Sequence, residues 1–312
     1  MIADREWSGE IRNRLDRVGR YHASRTILCA VQAGRETIDA IATIRPDERS
    51  VRPGKIAIGH ELVVLDVGER HLRSLRTVVD PLLVSDLSTL VWAPHGHRAA
   101  VDELLDMAQI VLIDSDGEPD PNPAVRRASG LAHKAYVVDL AWLRSTPWRE
   151  RVAATFDPDQ WRPELGRLSA ISVRHKRDSV LAGLLFCGWL CQRLGWEPEG
   201  LLCEDGSLEG VARAQGREIT LALHPDDSMI SPGLAGVTLK STGGMSISLD
   251  RGVGGLVARR RDASGDEREW TVLGASRGEA GILGEGIRQA LLRDSGYGPA
   301  LSAAAAFAAR SC

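Results

Sequence analysis

The sequence lacks the short signatures that mark most catalytic centres. Among its 32 glycines there is no GxGxxG and no GxxxxGK[ST], so neither familiar phosphate-cradling loop is encoded. "GILGEGIRQA" places Gly281, Gly284 and Gly286 before a helix in the wrong order for such a loop, and reads as a loop and helix start. An HExxH pair is also missing. No CxxC joins the five cysteines, Cys29, Cys187, Cys191, Cys203 and Cys312, which removes the commonest zinc spacing. Five in a chain of this length is also far below the density of a secreted disulfide scaffold. The most apolar run, "VLAGLLFCGWLCQRLGW", is interrupted by Arg193 and is too short to cross a bilayer. "MIADREWSGEIRNRL" contains no apolar signal core, so a cytoplasmic protein without a membrane partner is expected. Neither charge sign dominates: 39 basic and 42 acidic residues give a net charge of −3, no footprint for nucleic acid.

What is present is ordinary globular material. A length of 312 residues, 43% hydrophobic and 26% charged, suggests about two domains, each able to bury a core without metals or disulfides. The pattern predicts a helix over 5–20 on Ile11, Leu15 and Val18. Strands follow at "RTILCAV", "IDAIATI" and "ELVVLDV". A helix ending near Pro81, the strand "TLVWAP", a helix over "HRAAVDELLDMA" and the strand "IVLID" come next. After the break "SDGEPDPNP" lie the helix "AVRRASGLAHK", a strand "YVVDLAW" and a helix "TPWRERVAATF", with Thr146 as N-cap and Pro147 at its first position. Strands alternating with helices imply an α/β N-terminal domain, residues 1–165, with a largely parallel sheet. Residues 166–312 instead carry "LSAISV", a helix over 178–194, then "REITLAL", "GVTLKS", "MSISLDR", "GLVARRR" and "REWTVLG". The last two flank "DASGDE" as a hairpin. A helix over "ILGEGIRQALLRDS" and an Ala-rich helix or frayed tail follow. This half is expected to be α+β with a mostly antiparallel sheet.

Several clusters invite a chemical reading, each with a plainer alternative. His95 and His97 follow a strand end, where a metal would need a third ligand from elsewhere; a solvated loop is the simpler reading. Cys187 and Cys191 share one face of an apolar helix and read as core residues, with redox sensing as the minority reading. Arg259, Arg260 and Arg261 lie on a predicted strand, Arg259 and Arg261 on one face and Arg260 on the other; they are candidates for an anion or phosphosugar contact. The carboxylates of "DGEPD" sit in a turn, a poor platform for acid–base work.

"DLAWLRSTPWRERVAATFD", residues 139–157, is different. Two tryptophans beside three arginines are residue types that anchor interfaces. A buried strand over 136–142 would take Trp142 into the core. On a helix from Thr146, Trp148 packs inward while Arg149 faces water. Arg144 and Arg149 belong to a functional surface or to an internal ion pair. Through Asp139, Leu140, Ala141, Trp142, Arg144, Thr146, Pro147, Trp148 and Arg149 the segment resembles DLAWxRLTPWR of the glucose-6-phosphate dehydrogenase assembly proteins, the OpcA family. "DPLLVSDLSTLVWAP", "DSVLAGLLFCGWLCQRLGW" and "ILGEGIRQALLRDSGYGPAL" are similar to further family stretches in the same order. The chain departs from the pattern at Trp92, single where two tryptophans are usual, in the short stretch after "RTILCAVQ", and at His95 and His97, where acidic residues are commoner.

The resemblance to this family, as a divergent member, implies a non-catalytic accessory protein without a cofactor. Its partner would be glucose-6-phosphate dehydrogenase, whose assembly or active oligomeric form it promotes as an allosteric activator in the pentose phosphate pathway. Some family members are linked to redox control. The partner-binding residues it implies are Asp139, Trp142, Arg144, Thr146, Pro147, Trp148 and Arg149. Two alternatives stay open: a sugar-phosphate-binding sensor using the strand ends near His95 or the Arg259–Arg261 face, and an enzyme, perhaps a hydrolase, with a deep pocket of titratable groups.

Overall fold

The computed structural model describes residues 1–11, 13, 25–46, 59–84, 86–116, 120–273 and 278–308. In chain order the strands and helices begin with β1 (Ile2–Asp4), β2 (Arg25–Gln32), β3 (Asp39–Pro46), β4 (Gly59–Gly68), α1 (Leu75–Val79), β5 (Leu90–Trp92), α2 (Arg98–Leu104) and β6 (Ile110–Ile113). Then come α3 (Pro121–Ala132), β7 (Tyr136–Asp139), α4 (Leu140–Arg144), α5 (Thr146–Thr155), α6 (Arg162–Leu165), β8 (Leu168–His175) and α7 (Val180–Leu194). Strands β9 (Glu197–Pro198), β10 (Leu202–Glu204), β11 (Ser207–Ala214), β12 (Arg217–Pro225), β13 (Leu234–Ser241), β14 (Ser246–Gly252), β15 (Gly255–Arg261) and β16 (Glu267–Leu273) precede α8 (Gly278–Leu292) and α9 (Tyr297–Ala308). Among the described residues no helix is long and apolar enough to cross a membrane.

The chain forms two compact units. The first comprises Met1–Ile113, His133–Val138 and Glu279–Leu291. It holds a sheet in the order β1-β2-β4-β3, in which β1, β2 and β4 run parallel and β3 returns antiparallel beside β4. A second sheet, β5-β6-β7, has β5 and β6 parallel. Both match the α/β reading of the N-terminal region. Runs such as "ILCAV" and "LVVLDV" form strands because β-branched and aliphatic side chains suit a buried pleated surface; Leu28, Cys29, Ala30, Val64 and Leu65 are buried there. Of the helix expected over 5–20, Arg5–Trp7 is a 3₁₀ turn and residues 8–11 are helical, while Leu15 and Val18 lie outside the described residues.

The second unit comprises Asp114–Ala132, Asp139–Gly278 and Leu292–Cys312. Its sheet has nine strands in the order β10-β11-β12-β8-β13-β14-β15-β16, with β9 beside β11. Only β12 and β8 pair in parallel; the other neighbours are antiparallel, as expected for the C-terminal region. From Val180 to Cys191 helix α7 is apolar because it is covered by the sheet and by α9, while Gln192 and Arg193 in its last turn are exposed. Leu184, Leu185 and Phe186 are fully buried, each contributing about 1.5–3 kcal/mol. Gly188 allows the close approach of α9: a Cβ there would lie 2.3 Å from the Ala300 carbonyl oxygen. The helix stops at Gly195, whose φ of 67° is the left-handed conformation that glycine adopts freely.

Two local expectations are corrected. "YVVDLAW" is not one strand: β7 ends at Asp139 and α4 begins at Leu140. The Asp139 carboxylate accepts the Ala141 N–H at 3.0 Å and caps the helix, a switch that apolar periodicity over so short a run does not reveal. Thr146 is not an N-cap either. It is already helical, Ser145 precedes it, and Pro147 is the second helical residue and not the first.

Candidate functional site

The residues singled out between 139 and 149 lie at the junction of α4 and α5, packed within the second unit. Asp139 is 1% exposed and accepts four hydrogen bonds. Oδ1 takes the N–H of Ser115 at 3.1 Å and of Ala141 at 3.0 Å. Oδ2 takes the Ser115 hydroxyl at 2.6 Å and the Tyr297 hydroxyl at 2.9 Å. Burial pushes its pKa up to about 6 even so, because the hydrogen bonds offset only part of the desolvation. Burial, and then the Asp139 carboxylate beside it, holds the Tyr297 phenol well above its ordinary range.

Arg144 is an internal ion-pair residue. Its guanidinium grips Asp114 at two points, 2.7 and 2.6 Å, and reaches Asp116 at 3.3 Å. The Arg144 and Asp116 side chains are 5% and 3% exposed. Burial first, then Asp114, raises the Asp116 pKa well above the usual carboxylate range, against the opposing pull of Arg144. Oδ1 of Asp116, Oδ1 of Asp178 and Nε2 of His175 are buried with no hydrogen-bond partner among the described residues. Arg251 adds a second cation, donating to the carbonyls of Leu234 and Pro232 at 2.6 and 3.2 Å; burial, then Arg144, lowers its pKa.

Arg149 does not face water as a helix starting at Thr146 suggested. It is 9% exposed and lies flat over the Trp142 ring, 3.3 Å from the centroid. It donates to the Trp142 carbonyl at 2.9 Å, the Ser145 hydroxyl at 2.6 Å and the Thr146 hydroxyl at 3.1 Å. Burial lowers its pKa to about 9. Trp142 is buried, as expected, and its Nε1–H donates to Asp294 at 2.7 Å. Trp148 is buried too, while Thr146 and Pro147 are half-buried. The structure therefore draws Asp139, Trp142, Arg144 and Arg149 into one polar-aromatic junction. It adds partners that sequence reading missed, Ser115, Asp114, Asp294 and Tyr297, and it buries Asp116, the first carboxylate of "DGEPD", against Arg144. The one available signal was the polar triplet "DSD" directly after an apolar strand.

Beside this junction, α5, α6 and α7 enclose an open groove of about 610 Å³ lined by Thr146, Arg149, Phe156, Trp189, Leu190 and Arg193 among others.

The remaining candidates lie elsewhere. Arg259 pairs with Glu269 at 2.6 Å and Asp250 at 3.8 Å. Arg260 turns to the other face and stacks over Trp161 at 4.1 Å, and Arg261 is exposed. His97 Nε2 meets Asp4 at 2.9 Å, and the His95 ring lies against Trp7. No group of three His, Cys, Asp or Glu residues suited to a metal ion occurs among the described residues. Cys187 and Cys191 are buried, and burial pushes the Cys191 thiol up to about 12 and Cys187 higher.

A parallel-sheet α/β region joined to a wide, mostly antiparallel sheet defines the structural class. A solved structure described as a "putative oxidoreductase" from Parabacteroides merdae shares this fold, with a TM-score of 0.54 over 98% of this chain and 94% of that one at 7% identity. The sequence identifies the family. Residues 16–129 match the glucose-6-phosphate dehydrogenase subunit N-terminal domain and residues 135–301 its C-terminal domain. The chain belongs to the OpcA family. It is 28% identical over 187 residues to the "Putative OxPP cycle protein OpcA" of Synechococcus elongatus, covering 59% of this chain and 40% of that protein. Its likeness to the protein of the same name from Synechocystis sp. is also 28%, over 55% of this chain and 36% of the relative. The match thus spans about two fifths of these relatives' length, and their names tie the family to the oxidative pentose phosphate cycle.

Proposed function

We propose that this protein is a non-catalytic accessory subunit that binds glucose-6-phosphate dehydrogenase and favours its active assembly, in the cytoplasm. The observation that carries the reading is the match to both domains of a family described as a subunit of that enzyme. The site chemistry agrees with it. Asp139 is occupied by four internal donors and Arg144 by carboxylates, as suits residues that hold a shape. With Trp142, Trp148, Arg144 and Arg149 buried, these side chains serve docking by fixing the α4–α5 junction. Thr146, Pro147 and the exposed Glu150 and Arg151 are what that junction presents to a partner.

Activation follows from linkage. A subunit that binds the active assembly more tightly than the inactive one shifts the population by that difference, and about 5.5 kcal/mol takes 1:99 to 99:1. The test is co-purification of this protein with the dehydrogenase of the same cell, with the enzyme's mass and specific activity measured at micromolar excess. A larger complex with raised activity is expected. Unchanged mass and unchanged activity would sink the proposal.

A further inference from the structure

We infer that the groove between α5, α6 and α7 is a binding site for a small organic anion, its carboxylate or phosphate held between Arg149 and Arg193 and its apolar body laid against Phe156, Leu190 and Trp189. The site does not depend on the assembly reading.

Arg149 carries the argument. A cation nine-tenths buried is normally matched by a carboxylate, since an uncompensated buried charge costs several kcal/mol. Here no carboxylate lies within ion-pair distance among the described residues, and all three acceptors are neutral. Asp294 acts on Arg149 only from a distance and is already engaged by the Trp142 indole and the Gly296 N–H. Trp142 fixes the plane of the guanidinium from below; with Nη1 donating twice and Nη2 once, the Nε–H and one Nη2 hydrogen remain for a ligand.

Arg193 supplies the second, independent observation. It lines the same groove, is exposed, and makes no ion pair among the described residues. Burial chiefly disfavours the protonated form of Arg149; Asp294 and then Glu150 favour it, and Arg193 opposes it more weakly. Arg149 and Arg193 thus bring two guanidiniums to the lining of one cavity, where a single anion can engage both. The Thr146 hydroxyl, on the same wall, adds a polar contact. Beyond this end the wall turns apolar: Phe156 and Leu190 are buried and Trp189 is half-buried. At about 610 Å³ the space suits a small molecule. Glu150 and Asp157 on the same lining disfavour a ligand that is charged throughout.

The test uses the full chain, titrated by calorimetry with phenyl phosphate, benzoate and inorganic phosphate. Saturable binding of phenyl phosphate or of benzoate below about 1 mM is expected, at least about tenfold tighter than inorganic phosphate, which lacks the apolar body. The arm that binds tells phosphate from carboxylate. Arg193→Gln changes an exposed side chain, keeps the fold by circular dichroism, and weakens binding about tenfold through loss of one charge-assisted contact. Trp189→Ala weakens the aromatic probes and leaves inorganic phosphate unchanged. Absence of saturable binding by both aromatic probes overturns the site, as does an Arg193→Gln chain that titrates like the native one.

Discussion

Replacing Asp139 with Asn separates the charge of this carboxylate from its shape. The side chain is 1% exposed and its pKa rises from 3.8 to about 6, chiefly because burial disfavours the ionised form. A raised carboxyl pKa means that the folded chain binds a proton more tightly than the unfolded chain between those values. Stability from this group is therefore full below about pH 4 and falls as pH rises through 6. The size of the loss is the pKa difference times 1.36 kcal/mol, or about 3 kcal/mol at pH 7. Asn keeps Oδ1 as acceptor for the N–H groups of Ser115 and Ala141, and its amide can donate to the two hydroxyl oxygens now bonded to Oδ2. Asp139→Asn should thus gain stability relative to the native chain as pH rises, by about 3 kcal/mol between pH 4 and pH 7. Urea unfolding followed by tryptophan fluorescence at several pH values measures this directly. Parallel stability curves for the two chains would refute the reasoning. Asp139→Ala, which strands all four donors, serves as the contrast and should lose stability at every pH.

Arg144→Lys keeps the charge but cannot reproduce the two-point grip on Asp114, and should cost about 2–4 kcal/mol in the same unfolding assay. A loss under 0.5 kcal/mol, about the size of a surface-pair effect, would show that the grip is dispensable. Gly188→Ala drives a methyl into the Ala300 carbonyl and should lower stability by about 1–3 kcal/mol, with a lower melting temperature as the readout. Cys187 and Cys191, buried and held as thiols, should resist iodoacetamide at pH 8 until urea unfolds the chain; rapid alkylation of either in the native protein would contradict their placement.

Much of the sheet architecture was legible because long strands such as "RTILCAVQ" and "REITLALHP" concentrate β-branched residues between turn signals. Strands β9, β10 and β11 escaped. "SLEGVARA" is built of small residues, and its Gly210 is chosen for contact rather than propensity: a Cβ there would press within 2.8 Å of Leu201. At the junction, the periodicity of "YVVDLAW" could not tell a strand from the short helix α4. That distinction rests on where one carboxylate finds its donors. Two of those four donors come from Ser115 and one from Tyr297, 24 and 158 residues away, and no local pattern encodes so distant a partner. That Arg149 is held by neutral acceptors and an indole ring and not by a carboxylate was equally hidden, since a sequence does not say which carboxylates fail to arrive.

The tight seat between Gly188 and Ala300 bears on how the chain matures. Helix α9 is made after every strand of the nine-stranded sheet, yet it covers one side of α7 and also packs on α3. Until it leaves the ribosome, the leucine-rich side of α7 that it will hide is bare to solvent. Any chain in which α9 has not yet docked therefore exposes an adhesive apolar face of α7.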